Sequence, residues 1–253
     1  MAVAEVSEAL RAHYSDHYRG PTVWRTAGAA DKVANLLRLC SGLDCDGVLE
    51  IGAGDGAVLA GLAERGFGRR RFGLELSPTA LDAARERGVQ GVASLARFDG
   101  ARLPFADASL DLAVLSHVVE HLEHPRALLY EAARVARFVF VEVPLEDTWR
   151  LPQHYRPDPT GHINSYTLRG IRRLLESCGL EVLAEHVSHP TRAAYALRPE
   201  LGPLRSRAHW AVKQTLLAAV PGLAQRLFTY HGALLCRSAL TKRRSCASSK
   251  KST

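Results

Sequence analysis

The residues Val48-Leu49-Glu50-Ile51-Gly52-Ala53-Gly54-Asp55-Gly56-Ala57 concentrate the chemistry of this chain. Apolar positions around one acid, Glu50, give a short buried strand, and alternate glycines follow at once. Glycine in such a turn takes positive φ without strain and lets backbone approach a ligand with no Cβ in the way. The helical pattern that resumes at Val58-Leu59 aims unpaired N–H groups at any anion lying over the loop. This combination builds a nucleotide-type cofactor site.

Two readings compete at the loop. Gly52-x-Gly54-x-x-Ala57 fits the dinucleotide fingerprint, with Glu75 about 20 residues on to hold a ribose. Gly52-x-Gly54-x-Gly56 preceded by Glu50 instead resembles the first motif of class I S-adenosylmethionine (SAM)-dependent methyltransferases. The segment Asp99–Leu122 decides between them. It holds a loop acid, the turn Leu103-Pro104-Phe105, a buried strand over Leu110–Leu115, and Ser116-His117-Val118-Val119-Glu120-His121-Leu122 where the next element begins. The unit resembles the pattern D-x-x-x-L-P-F-x-D-x-S-(F/L)-D, hydrophobic run, S-x-x-x-E-H-L of that methyltransferase family. The resemblance covers about Val48–Leu183 well and the flanks poorly.

The resemblance implies a role for each matching position. Glu50, Gly52, Ala53, Gly54 and Gly56 would line the methionine part of SAM, whose product is S-adenosylhomocysteine. Glu75, followed by Leu76, would accept from both ribose hydroxyls, since a carboxylate serves two donors. Asp99 would accept from the adenine amino group, with Gly100 and Ala101 beside it. Ser116 and His117 would lie near the methyl donor, Ser116 serving equally as a helix cap.

Methyl transfer is an in-line displacement, so alignment supplies much of its rate. A hydroxyl acceptor also needs its proton removed, a task that suits histidine. His162, in Gly161-His162-Ile163-Asn164-Ser165-Tyr166, and His121 are the catalytic candidates, with a loop-holding role for His162 as the alternative. His117 and His121 are four apart with His124 following, a spacing that could ligate a metal from one helix face. No carboxylate-rich or cysteine set accompanies them, and no metal is expected. After the fourth strand the chain lacks the Pro-Pro-aromatic signature of nucleic-acid amino-methyltransferases. It also has no Pro-Cys nucleophile. Both observations favour a small-molecule or glycoconjugate acceptor over nucleic acid.

The elements that position these residues alternate in the βαβ manner. They predict a Rossmann-like α/β fold, a seven-stranded sheet with helices on both faces. Helices are expected at Val33–Leu43, after the glycine loop from Val58, Pro78–Arg87 with Ser77 as cap, Ala127–Ala136, and Leu168–Cys178 closed by Gly179. Strands are expected at Val48–Ile51, Arg71–Glu75, Val89–Leu95, Leu110–Leu115, Phe138–Val143, Leu180–Val187 and Tyr230–Cys236. The resemblance makes the last antiparallel, between two neighbours.

Three departures from a minimal fold should carry acceptor specificity. Residues 1–43 are expected to form an N-terminal helical lid whose Tyr14, Tyr18 and Trp24 either fold over the cofactor or pack into the core. The loop Pro144–Tyr166, too long for a mere connection, supplies His154, Tyr155 and Tyr166 as substrate candidates beside Trp149. A helical cap insertion spans 190–229 within a catalytic domain of 44–240. Its apolar stripe (Val212, Leu216, Ala219, Val220, Leu223, Leu227) should face the protein, with Pro221 starting a second helix. Basic residues beside the stripe keep peripheral membrane contact open.

Composition agrees: 253 residues with 47% hydrophobic content suffice for one α/β domain, and the formal charge of +7 falls to +2 without the five basic residues of the tail. That tail, 241–253, is expected to be disordered. The absence of a secretory or transmembrane run and the odd count of five cysteines suggest a cytoplasmic protein with reduced thiols. The expected function is methyl transfer from SAM to a small-molecule, sugar or lipid-linked acceptor, at oxygen. N- or C-methylation of a small molecule or RNA is the alternative, and a non-catalytic SAM-binding scaffold the reading from a different class. Oligomeric state is not specified by the sequence.

Overall fold

The computed structural model describes residues 23–100, 102–155, 160–197 and 202–240. Strands β1 (Gly47–Ile51), β2 (Arg70–Glu75), β3 (Val92–Arg97), β4 (Leu110–Ser116), β5 (Ala136–Leu145), β6 (Leu180–Ser188) and β7 (Tyr230–Ser238) form one sheet in the order β3-β2-β1-β4-β5-β7-β6. The first five strands pair parallel with one another, and β7 runs antiparallel between β5 and β6. This is the Rossmann-like architecture that the alternation predicts. The order reverses between β1 and β4, and at such a switch point the crevice beyond the strand ends takes the ligand.

Strand residues alternate between two cores because successive side chains point to opposite faces. Val48, Leu112, Val114, Phe138, Phe140 and Leu235 meet Val33, Leu36 and Cys40 of α1 (Val23–Cys40) and Val58 and Leu62 of α2 (Ala57–Glu64). Leu49, Ile51, Ala113, Leu115, Val139 and Val141 meet Leu128, Leu129 and Ala132 of α4 (Pro125–Val135) and Ile171 and Leu175 of α5 (Leu168–Ser177). With both faces covered, the central strands read as continuous apolar runs. Helix α3 (Pro78–Arg87) starts as expected, with Ser77 Oγ accepting from Ala80 N and Pro78 in the first turn.

Several elements depart from their expected form. Helix α1 begins at Val23 rather than Val33, and its described part packs into the core layer through Ala29, Val33, Leu36 and Cys40. The side chain of Trp24, together with Tyr14 and Tyr18, lies outside the described residues, as does the tail 241–253. Strand β3 begins at Val92 rather than Val89, because Gly88 and Gly91 both adopt positive φ and hold a turn between α3 and the strand.

The insertion folds as α6 (Arg192–Ala196), α7 (Pro203–Ala219) and α8 (Pro221–Leu227), with Pro221 opening the last helix. Its expected apolar stripe faces inward only in part: Leu216 packs against the core, but Val212, Val220 and Leu223 are exposed, whereas Ser206 and Lys213 are buried. Ser206 Oγ donates to the Tyr195 carbonyl, and Lys213 Nζ donates to the Thr229 carbonyl at 2.7 Å beneath the Tyr230 ring. Hydrogen bonds and cation–π contacts thus compensate polar groups that hydropathy alone would turn outward.

No helix among the described residues is long and apolar enough to cross a membrane. Cys40, Cys45, Cys178 and Cys236 are free thiols, and burial pushes Cys40 and Cys236 up to about 12.

Phe140 is fully buried at the centre of β5. Phe140→Ala should cost about 3–5 kcal/mol through lost burial and the cavity left behind. Urea unfolding should show a lowered midpoint at unchanged slope.

Candidate functional site

The glycine loop is clamped to its neighbours. Gly52 N and Ala53 N both donate to the Leu74 carbonyl, at 2.8 and 3.0 Å, which ties the turn to β2. Glu75, at the end of β2, accepts from Gly54 N at 2.7 Å through Oε2 and from Ser77 N at 2.8 Å through Oε1. Arg87 of α3 reaches back to pair with the Asp55 carboxylate at 2.7 Å. Gly52, Gly54 and Gly56 have φ of +76°, +55° and +74°, the region that favours glycine. A Cβ on Gly52 would stand 2.6 Å from Val118 Cγ2, so this turn also lies tight against the turn that follows β4.

Two acids close this cradle. Glu50 is buried, its Oε2 has no hydrogen-bond partner among the described residues, and burial pushes its carboxyl up to about 8. Glu75 is also raised by burial, against the N–H groups of Ser77 and Gly54 that pull it down. A cofactor offering an amino donor to Glu50 and hydroxyl donors to Glu75 fits these residues, and SAM carries both. Leu76 follows Glu75 at half-exposed depth, and beyond β3 Asp99 is exposed beside Gly100, whose φ is +88°. Ala101 lies outside the described residues.

The ends of β4 and β5 assemble a second group. Ser116 Oγ donates to Glu142 Oε2 at 2.7 Å, so its hydroxyl is committed within the sheet, and Asn35 Nδ2 donates to Glu142 Oε1 at 2.6 Å. Burial raises Glu142 to about 7. His117 adopts φ +58°, rare for a residue with a side chain, and its ring packs edge-on against His231 at 4.8 Å. Burial holds His117 well below its ordinary range and lowers His121 as well.

The helix face expected to align His117, His121 and His124 does not form. His117 occupies the turn, a single 3-10 turn spans Val119–His121, and His124 precedes α4. The backbone instead joins distant segments. The Glu120 carbonyl accepts from Ile163 N at 3.0 Å and Asn164 N at 2.9 Å, and Asn164 Nδ2 donates to the Leu122 carbonyl at 2.7 Å. These bonds lay the Gly161–Asn164 segment along the 3-10 turn and bring the His162 ring to 4.8 Å from His121. His162 Nδ1 lies 2.8 Å from Glu146 Oε2.

A cavity of about 290 Å³ opens beside Glu146, lined by Thr148, Arg150, Tyr195, His209, Lys213 and His231 among others. Its size is that of a small-ligand pocket. The substrate candidates from the long loop are not gathered here. His154 and Tyr155 are exposed, Tyr155 at 70%, because the chain from Leu151 to Tyr155 runs over the surface. Tyr166 packs against the core, and burial raises its hydroxyl to about 12. Glu146, Thr148 and Arg150, polar residues nearest the end of β5, line the cavity in place of the loop's aromatics. Their position at the start of the loop was the available signal.

Comparison with known proteins agrees with this geometry. Residues 49–138 match the family model described as a methyltransferase domain. An uncharacterized methyltransferase of Mycobacterium marinum is 33% identical over 141 residues, covering 53% of this chain and 54% of that protein. The chain thus spans about half the length of the curated relatives it matches. In solved structures the fold resembles the [4+2]-cyclase SpnF (TM-score 0.64, 18% identity, 94% of this chain and 98% of that one). It also resembles a Haemonchus contortus phospholethanolamine N-methyltransferase 2 complexed with phosphomonomethylethanolamine and S-adenosylhomocysteine (TM-score 0.61, 16% identity, 92% of this chain and 60% of that one). The fold and the match over residues 49–138 agree on a methyltransferase domain in this part of the chain.

Glu50 and Glu142 make the unliganded protein pH-sensitive. Both bind a proton more tightly folded than unfolded, so their contribution to stability is full below about pH 4.5 and is lost as pH rises toward about 7 for Glu142 and about 8 for Glu50. Thermal melts between pH 5 and 8.5 should show falling Tm, and Glu50→Gln should flatten the upper part of that decline.

Proposed function

We propose that the protein transfers a methyl group from SAM to a hydroxyl of a small acceptor, such as a sugar or a lipid-linked intermediate. The observation that carries this reading is the cavity of about 290 Å³ at Glu146, the residue that also holds His162 at 2.8 Å. SAM, when bound, supplies an electrophilic methyl on a sulfonium centre. Glu50 and the Gly52–Gly56 loop, including Ala53, hold its amino acid part. Glu75 and Leu76 take the ribose, Asp99 and the Gly100–Ala101 backbone take the adenine, and Ser116 and His117 shape the wall beside the methyl.

Acceptor binding falls to Arg150, His209 and Lys213, which make the cavity largely basic despite Glu146. His121 and His162 handle the proton of the acceptor hydroxyl. Glu146 fixes the His162 ring, since a carboxylate on Nδ1–H sets both tautomer and orientation. Trp24, His154, Tyr155 and Tyr166 stay outside this assignment: the Trp24 side chain is not described, and the other three do not line the cavity.

Calorimetry should show binding of SAM and S-adenosylhomocysteine and none of NADH. Glu75→Ala should weaken SAM by about 1.5–3 kcal/mol for each bond lost to the charged group. Unchanged affinity in that variant, with the fold intact, would remove Glu75 from the cofactor site.

Labelled SAM incubated with cell extract, then resolved into lipid, glycan, RNA and small-molecule pools, should place the label outside RNA. With the acceptor so identified, His162→Ala should lower kcat roughly 10²-fold or more while SAM affinity stays within a few-fold. Arg150→Ala should instead raise the KM for the acceptor. A fully active His162→Ala enzyme would leave this histidine only its loop-holding role.

A further inference from the structure

Glu120 has no exposed surface, yet neither carboxylate oxygen accepts a hydrogen bond among the described residues. A buried carboxylate in that condition calls for a proton or a cation, because desolvation without compensation is costly. Its surroundings offer little else that is cationic: His117 Nδ1 stands 3.2 Å from Oε1, and Lys32 acts on Glu120 only through its field. Around Glu120 the structure collects nitrogen donors. One ligand-capable atom from each of Glu120, His121 and His162 lies within 4.8 Å of the other two.

The second contacts of both rings have the form that metal ligands show. His121 Nδ1 lies 3.0 Å from the Gly161 carbonyl, and His162 Nδ1 lies 2.8 Å from Glu146 Oε2. A carbonyl and a carboxylate oxygen both accept, so each Nδ1 carries the proton and each Nε2 carries the lone pair. Ligating histidines characteristically give their other N–H to a backbone carbonyl or a carboxylate, which fixes the ring and strengthens the donor. His121 Nε2 stands 4.0 Å from Glu120 Oε1. Metal–ligand bonds of about 2.0–2.2 Å need donor atoms about 3–3.5 Å apart. Small side-chain rotations close that difference.

We propose that Glu120, His121 and His162 form a binding site for one divalent transition-metal ion, of the class that two imidazoles and a carboxylate take: zinc, or iron(II) and its neighbours. The neighbouring group His117, Glu142 and His231 is equally compact, but the oxygens of Glu142 already accept from Asn35 and Ser116. Glu146, which orients His162, also lines the acceptor cavity. An ion at Glu120 would therefore lie beside the acceptor and lower the pKa of its hydroxyl as a Lewis acid, replacing proton abstraction by the two imidazoles, whose Nε2 lone pairs it would occupy. This use rests on the methyl-transfer reading; the binding of the ion does not.

The full chain, stripped of metal by chelator and dialysed, should be titrated with Zn²⁺ by calorimetry and with Co²⁺ by visible absorption, both without SAM. One ion per chain is expected, with the visible bands of a four- or five-coordinate Co²⁺. Glu120→Gln and His162→Ala should weaken Zn²⁺ at least tenfold, and Glu146→Gln about 10–100-fold as the outer contact is lost. His124→Ala, an exposed histidine nearby, should leave binding unchanged. Far-UV circular dichroism checks the fold of each variant. If His162→Ala fails to fold, Glu146→Gln and the Co²⁺ spectrum of the unaltered chain decide. Absence of a stoichiometric ion, or affinity unchanged in Glu120→Gln and Glu146→Gln, overturns the proposal. Failure of the methyl-transfer reading would look different, as absent SAM binding in a chain that still takes up the ion.

Discussion

Glu142 sits inside the sheet with no exposed surface, and two side chains donate to its carboxylate: Asn35 from α1 and Ser116 from β4. Asn35 extends the same network to Ser188 of β6 at 2.8 Å. One buried acid therefore ties a helix and three strands together at the carboxyl end of the sheet. Its hydrogen bonds to charged oxygen are of the stronger kind, and losing one partner would leave part of a buried carboxylate uncompensated. The His117 backbone is held there as well, donating its N–H to the Glu142 carbonyl at 2.8 Å. The strained φ of +58° at His117 is kept in place by this network.

From that anchor the geometry of the site follows in order. With His117 fixed, Val118 presses on Gly52 and the 3-10 turn places Glu120 inward. The Glu120 carbonyl then captures the segment that carries His162. Cofactor loop and histidine cluster are thus two sides of one turn, between Gly52 and Glu120. A distortion at Val118 would reach both, so coupling between cofactor binding and the histidines needs no longer path.

The sheet was legible in the sequence because its central strands are buried on both faces. Leu110–Leu115 and Phe138–Val143 announce themselves as apolar runs, and Pro78 with Ser77 marks a helix start. The start of the edge strand β3 is less legible because the strand is only partly buried and lacks that signal. The cofactor loop was readable because glycine at positive φ has few substitutes. The partnership of Glu120 and His121 with His162 was not, since it depends on backbone hydrogen bonds across 40 residues. Local spacing suggested a helix face through His117, His121 and His124 where the chain instead makes a strained turn.

The inward face of α7 marks where this chain departs from its fold. Hydropathy would bury Val212, but it is exposed and Lys213 lies beneath the rings of Tyr195, Phe228 and Tyr230 at 5.0–5.9 Å. A helix that only had to cover the sheet would have no reason to bury a lysine, because leucine there would stabilise it without desolvating a charge. The lysine makes sense if the space under the helix is to be polar, and that space is the cavity it lines with His209 and Arg150. A fold shared with a [4+2]-cyclase does not determine the reaction. What distinguishes this chain is therefore found in the loop after β5 and the helices before β7, where polar atoms have been placed at a cost to packing.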